Sequence, residues 1–162
     1  MAKISGANTK PEKLVQAFLR SQGFRFRLHV GSLPGKPDIV IPTSHAAIFV
    51  NGCFWHHHPG CKRSKLPSTR KRFWRNKIIG NAARDRRNKA ALQKLGWRPL
   101  TVWQCQLSPS KATRRLAALS QALCAIPKKY RQVISRIHTV KIGTYTPRHQ
   151  AKPMLDCPHR AK

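Results

Sequence analysis

Residues 38–61 read DIVIPTSHAAIFVNGCFWHHHPGC. Two short apolar runs, DIVIP and HAAIFVNG, lie either side of a tight connection at Thr43–Ser44, which predicts two buried strands joined by a turn. The second run leads directly into two cysteines that bracket three consecutive histidines, with Phe54 and Trp55 beside them. A strand that delivers its chain into ligating and aromatic side chains is a scaffold for a site. The flanking sequence decides which kind.

Upstream, TKPEKLVQAFLRSQGF predicts a capped helix. Thr9 is its N-cap, Pro11 and Glu12 suit the first turn, Leu14, Val15, Phe18 and Leu19 form an apolar face, and Gly23 ends it. FRFRLHV alternates Phe24, Phe26 and Leu28 with Arg25, Arg27 and His29, the pattern of a half-buried strand. GSLPGKP is a turn-rich loop that sets Asp38 at the mouth of the next strand.

Downstream, Ser68 to Leu95 predicts helix, capped by Ser68 or Thr69, stopped by Gly96 and divided at Gly80. WRPLTVWQC is a further strand closed by Cys105, and Ser110–Ala125 is an amphipathic helix with Leu116, Leu119 and Leu123 on one face. Beyond Pro127 the chain is basic, rich in proline and weakly periodic. The expected organisation is therefore one α/β domain over 1–126 and a flexible basic extension over 127–162, with a short helix near Tyr130–Arg136.

Charge narrows the function. The chain carries 33 Lys+Arg against 4 Asp+Glu, a formal charge of +29 over 162 residues. Such a chain repels itself and calls for a polyanionic partner, nucleic acid first. No long apolar span points to a membrane. MAKISGANTK has neither an apolar core nor a cleavage-like site, so no export signal is expected. Five scattered cysteines fit a reducing compartment, where clustered cysteines read as metal ligands, and Cys124 and Cys157 are left as core and tail residues.

Cys53, Cys61 and a histidine between them, together with Cys105 at a strand end, make a tetrahedral set of three sulfurs and one imidazole. Zinc favours such a set, and a filled set is structural. Spacing alone does not choose among His56, His57 and His58. Without the metal, the cysteines would be ordinary buried residues.

The four acids are Glu12, Asp38, Asp85 and Asp156. Asp38, where a strand end meets loops, suits either a turn cap or a Mg²⁺ ligand for phosphodiester hydrolysis. The nearby histidines would supply a general base. Asp85, within RDRR, is expected to orient arginines by ion pairing.

The ordered set NTKPEKLV, LPGKPDIV, AAIFVNGCFWHHH, RFWRNKI with RDRR, and LGWRPLTVWQC resembles the very short patch repair (Vsr) DNA mismatch endonucleases over about Asn8 to Leu107. That resemblance implies a restriction-endonuclease-like α/β fold, a central mixed sheet flanked by helices with a structural zinc site. It implies a Mg²⁺-dependent enzyme that nicks one strand 5′ of the thymine at T·G mismatches left by 5-methylcytosine deamination. By position, Asp38 becomes the metal-binding aspartate, Val50 a ligand through its carbonyl, His56 the catalytic base and Glu12 a supporting carboxylate. Cys53, His58, Cys61 and Cys105 become zinc ligands, and Phe54 and Trp55 insert into the duplex beside the mismatch.

Asn51 stands where the family usually carries a histidine that holds the scissile phosphate. With the short segment before NTKPE, it motivates an alternative: a catalytically weak, zinc-stabilised mismatch-binding protein of the same fold. The resemblance also implies a monomer in the bacterial cytoplasm, associated with the nucleoid, with duplex DNA and mismatch-repair proteins as partners.

Overall fold

The computed structural model describes residues 7–125, together with Pro127 and Tyr130. The rest of the 127–162 extension, with most of its expected short helix and Cys157, lies outside the described residues. The first helix, α1 (Lys10–Ser21), begins where its capping residues predict. Glu12 Oε1 accepts the Thr9 N–H at 3.3 Å and the Thr9 hydroxyl at 2.6 Å, and Oε2 accepts the Asn8 N–H at 2.9 Å. These bonds occupy donors that a helix start leaves without partners.

Four strands follow in the sheet order β1-β2-β3-β4: β1 (Arg27–Leu28), β2 (Ile39–Ile41), β3 (Ala46–Asn51) and β4 (Arg98–Trp103). β1, β2 and β3 run antiparallel in sequence, and β3 pairs with β4 in parallel, Val50 opposite Val102 and Asn51 opposite Trp103. The parallel step requires a crossover, and α2 (Lys71–Lys94) supplies it. The last helix, α3 (Pro109–Cys124), contacts α1. This four-stranded mixed sheet with its helices fits the restriction-endonuclease-like architecture.

One hydrophobic cluster joins Val15 and Leu19 of α1, Ile39, Ile41, Ala46, Ile48 and Val102 of the sheet, and Leu116, Leu119 and Leu123 of α3. The alternation of strand side chains turns Val40 and Ala47 to the opposite face, and both are buried, as are Ile78 and Leu92 of α2. Buried Arg98 locks the far end of the core: its guanidinium donates to the Ala122 carbonyl at 2.6 Å and to those of Ala125 and Ser44 at 3.4 Å. A cation on the last carbonyls of α3 satisfies acceptors that the helix cannot.

Four local expectations change. The strand expected over FRFRLHV shrinks to Arg27–Leu28, although Phe24, Phe26 and Leu28 still pack against the core. His29 leaves the strand with φ of +47°. α2 runs unbroken through Gly80 and starts after Arg70, itself left-handed at φ of +51°, not from a Ser68 or Thr69 cap. A glycine costs a helix about 1 kcal/mol relative to alanine, too little to split a helix anchored on both sides of it by Ile78 and Leu92. Cys124, expected in the core, is exposed at the end of α3.

Candidate active site and metal cluster

The loop GSLPGKP delivers Asp38 to the sheet. Gly35 has φ of +76°, and a Cβ there would sit 2.9 Å from the Asn88 side chain, so this loop lies hard against α2. Asp38 Oδ2 then accepts the Val50 N–H at 2.7 Å, across from the C-terminal part of β3. Burial raises the Asp38 carboxyl above its ordinary pKa, and the Val50 N–H pulls it back. Glu12, His29 and His56 all lie within electrostatic reach of it.

Glu12 is 3% exposed and turns its carboxylate toward the same place. Ligand atoms of Glu12, His29 and Asp38 all lie within 4.8 Å of one another, an arrangement able to hold a metal ion. His29 belongs here and not on the solvent face that its alternation with Arg25 and Arg27 predicts. Only its left-handed backbone, with its N–H donated to the Asp38 carbonyl at 3.1 Å, brings the ring inward.

His56 follows β3 in the turn that carries the His-rich segment. Its Nδ1 donates to Asp85 Oδ2 at 2.6 Å. Asp85 therefore orients an imidazole, not the arginines beside it in RDRR as expected. The reason is reach: α2 crosses the sheet and presents Asp85 to a loop 29 residues earlier. No spacing in the sequence signals that pair.

The second cluster gathers Cys53, His58, Cys61 and Cys105, again with ligand atoms within 4.8 Å of one another. His58 Nδ1 lies 3.3 Å from Cys105 Sγ, and its ring stacks on Trp103 at 4.2 Å and 8°. Burial and the neighbouring Cys53 and Cys61 sulfurs push the Cys105 thiol up to about 11. A hydrogen bond from the Arg63 backbone N–H lowers Cys61. Three sulfurs this close cannot all be thiolates unless a cation lies among them, and with the imidazole they make a donor set able to hold a metal ion. His57, by contrast, is exposed and left-handed at φ of +51°.

Known proteins give this geometry its context. A model of the family described as DNA mismatch endonuclease Vsr matches residues 1–63. The type II nicking enzyme V.XorIIP of Xanthomonas oryzae pv. oryzae is 52% identical over 108 residues, 67% of this chain and 79% of that protein. The DNA mismatch endonuclease Vsr of Escherichia coli is 48% identical over 107 residues, 66% of this chain and 68% of the relative. This chain belongs to the Vsr DNA mismatch endonuclease family. Membership makes it an endonuclease that acts on DNA.

As a Vsr-family chain it presents two further surfaces. Phe54 and Trp55 meet edge to face at 5.1 Å, and both contact Trp74 of α2, at 5.4 and 5.8 Å. Phe73 joins them at 5.2 Å from Trp74. Trp55 is 40% and Phe73 57% exposed. Sequence reading missed the second pair, although FW occurs twice, at 54–55 and at 73–74. The other surface is α2 itself, of whose 24 residues only Ile78 and Leu92 are buried. Nine of the other 22 are Lys or Arg. Asn51, the last residue of β3, is 4% exposed. No helix among the described residues is long and apolar enough to cross a membrane.

Proposed function

We propose that this chain is a Mg²⁺-dependent endonuclease that nicks one strand of duplex DNA 5′ of the thymine at T·G mismatches arising from 5-methylcytosine deamination. The observation that carries this reading is Asp38, pinned by the Val50 N–H and within electrostatic reach of a histidine held by its own carboxylate. Family membership supports it.

The residues divide the work. Asp38 and Glu12 offer hard oxygen donors that fit a divalent cation, and the Val50 carbonyl leaves its strand on the same side as the N–H bound to Asp38. Mg²⁺ held by Asp38, Glu12 and the Val50 carbonyl would supply charge neutralisation at the phosphate and a more acidic water. Asp85 occupies Nδ1 of His56, which leaves Nε2 to take the proton of the attacking water. Asn51 hydrogen-bonds the scissile phosphate in place of the family's usual histidine. Cys53, His58, Cys61 and Cys105 fit zinc, which as a filled tetrahedral site is structural.

Phe54 and Trp55 stack at the mismatch, where a mispaired step opens at lower cost. Lysines and arginines of α2, and the basic segment 127–162 beyond the 1–126 domain, hold phosphates. The protein works as a monomer in the bacterial cytoplasm, at the nucleoid, beside mismatch-repair proteins.

The test is a nicking assay on duplexes with each mismatch type, with and without Mg²⁺. One nick 5′ of the thymine of T·G, lost in Asp38→Ala, is the expected result. Unchanged cleavage in Asp38→Ala sinks the reading. Asn51 motivates the weaker alternative, a mismatch-binding protein, and mismatch-selective binding with no nicking in Mg²⁺ or Mn²⁺ would favour it.

A further inference from the structure

We propose that His29 is a third ligand of the divalent cation held by Asp38 and Glu12, and that it shifts this site's preference from Mg²⁺ toward Mn²⁺. The proposal rests on the reading above that Asp38 holds a divalent cation.

The first support is the inward turn of the side chain. In FRFRLHV the alternation assigns His29 to the face of Arg25 and Arg27, yet its φ of +47° rotates it to the acids. Left-handed backbone is uncommon outside glycine, and histidine is among the few side chains that adopt it more readily. The N–H bond from His29 to the Asp38 carbonyl fixes the ring one residue past β1.

Spacing is the second support. His29 Nε2 lies 3.6 Å from Glu12 Oε2, and Nδ1 lies 3.9 Å from Asp38 Oδ1. Asn8 Oδ1 is 3.5 Å from Nε2. These separations are too long for good hydrogen bonds. The same protein shows what a made pair looks like, since His56 closes on Asp85 to 2.6 Å. Donors that share an ion at about 2.1 Å stand roughly 3–4.2 Å from each other. The two short approaches use different ring nitrogens, but one ligand atom from each of His29, Glu12 and Asp38 lies within 4.8 Å of the others, so a small rotation of the ring closes the set on one ion.

Third, the carboxylates are spoken for on their far sides. Asp38 Oδ2 is used by Val50, which leaves Oδ1 as the oxygen toward His29. Glu12 Oε1 takes both Thr9 donors, whereas Oε2, toward His29, takes only the Asn8 N–H. Each acid thus keeps unused lone-pair capacity on the oxygen nearest the imidazole. An imidazole in that set is a poor partner for Mg²⁺, which demands oxygen, and a good one for first-row transition ions.

The experiment uses the full-length protein, titrated with Mn²⁺ and with Mg²⁺, and pulsed electron paramagnetic resonance of the bound Mn²⁺. Expected is a nitrogen coupling to Mn²⁺ in the native protein that disappears in His29→Gln. With it, Mn²⁺ affinity falls about tenfold or more, while Mg²⁺ affinity changes far less because glutamine still offers an oxygen. Bound Mn²⁺ without nitrogen coupling, or equal weakening of both ions, overturns the proposal. Asp38→Asn separates the levels: if it abolishes Mn²⁺ binding while His29→Gln changes nothing, the His29 proposal fails alone. If Mn²⁺ binding survives Asp38→Asn, the metal reading beneath it fails as well.

Discussion

Two donor clusters lie at the C-terminal end of β3, and they are built on opposite plans. Cys53, His58 and Cys61 come from nine consecutive residues, closed by Cys105 just past β4. Glu12, His29 and Asp38 come from a helix, a strand end and a loop, with His56 and Asp85 arriving from two more elements. The first set is soft, and with a metal bound its four donors would leave no coordination position for substrate. The second is hard and its donors are spaced apart. A cluster made from one loop stabilises that loop, whereas a cluster drawn from five elements depends on a fold that already exists. The difference teaches that, with metals bound as proposed, one cluster would help to make the structure and the other would be made by it.

The sharpest way to break that comparison is Cys105→Ser. If the sulfur cluster builds the fold, its loss removes the bound metal and abolishes the cooperative thermal transition, read by circular dichroism and metal analysis. Coordination of this kind is linked to folding by about 10 kcal/mol or more in small zinc domains. A variant that melts like the native protein would mean that the sulfurs are passengers.

The acidic cluster should respond in activity and not in fold. Asp85→Asn leaves α2 intact but removes the negative charge from His56, and nicking is expected to fall about ten- to hundredfold. The same variant should melt within a degree or two of the native protein. Equal activity in single-turnover nicking would show that His56 needs no orienting partner.

The smallest effect has the less obvious sign. Burial holds the Asp38 pKa above its ordinary value, so the ionised carboxylate is disfavoured in the folded chain. The folded state then binds more protons than the unfolded one between the ordinary and the raised pKa, and stability is lost as pH rises through that window. Asp38→Asn keeps an acceptor for the Val50 N–H and removes the charge. It is expected to raise the melting temperature of the metal-free protein at neutral pH while nicking disappears. A lowered melting temperature would show that the carboxylate is compensated without metal.

Legibility followed the same division. The apolar runs of β2 and β3, the capping residues of α1 and the leucines of α3 could be read directly, because period and capping are properties of neighbours. The cysteine spacing was visible for the same reason. Gly80 misled because a propensity cost of about 1 kcal/mol yields to tertiary packing, here through Ile78 and Leu92. His29 misled because alternation reports a strand that stops at Leu28. Asp85 misled because its neighbours along the chain are arginines while its partner is not.

Residue chemistry alone established that this chain seeks a polyanion, that β2 and β3 carry buried apolar runs, and that a group of thiols and imidazoles follows β3. Those conclusions need only charge, period and short spacing. The crossover through α2 and the left-handed turn at His29 decided which imidazole faces which acid. Contacts between residues 17 or 29 positions apart depend on how elements pack, and packing is a property of the whole chain.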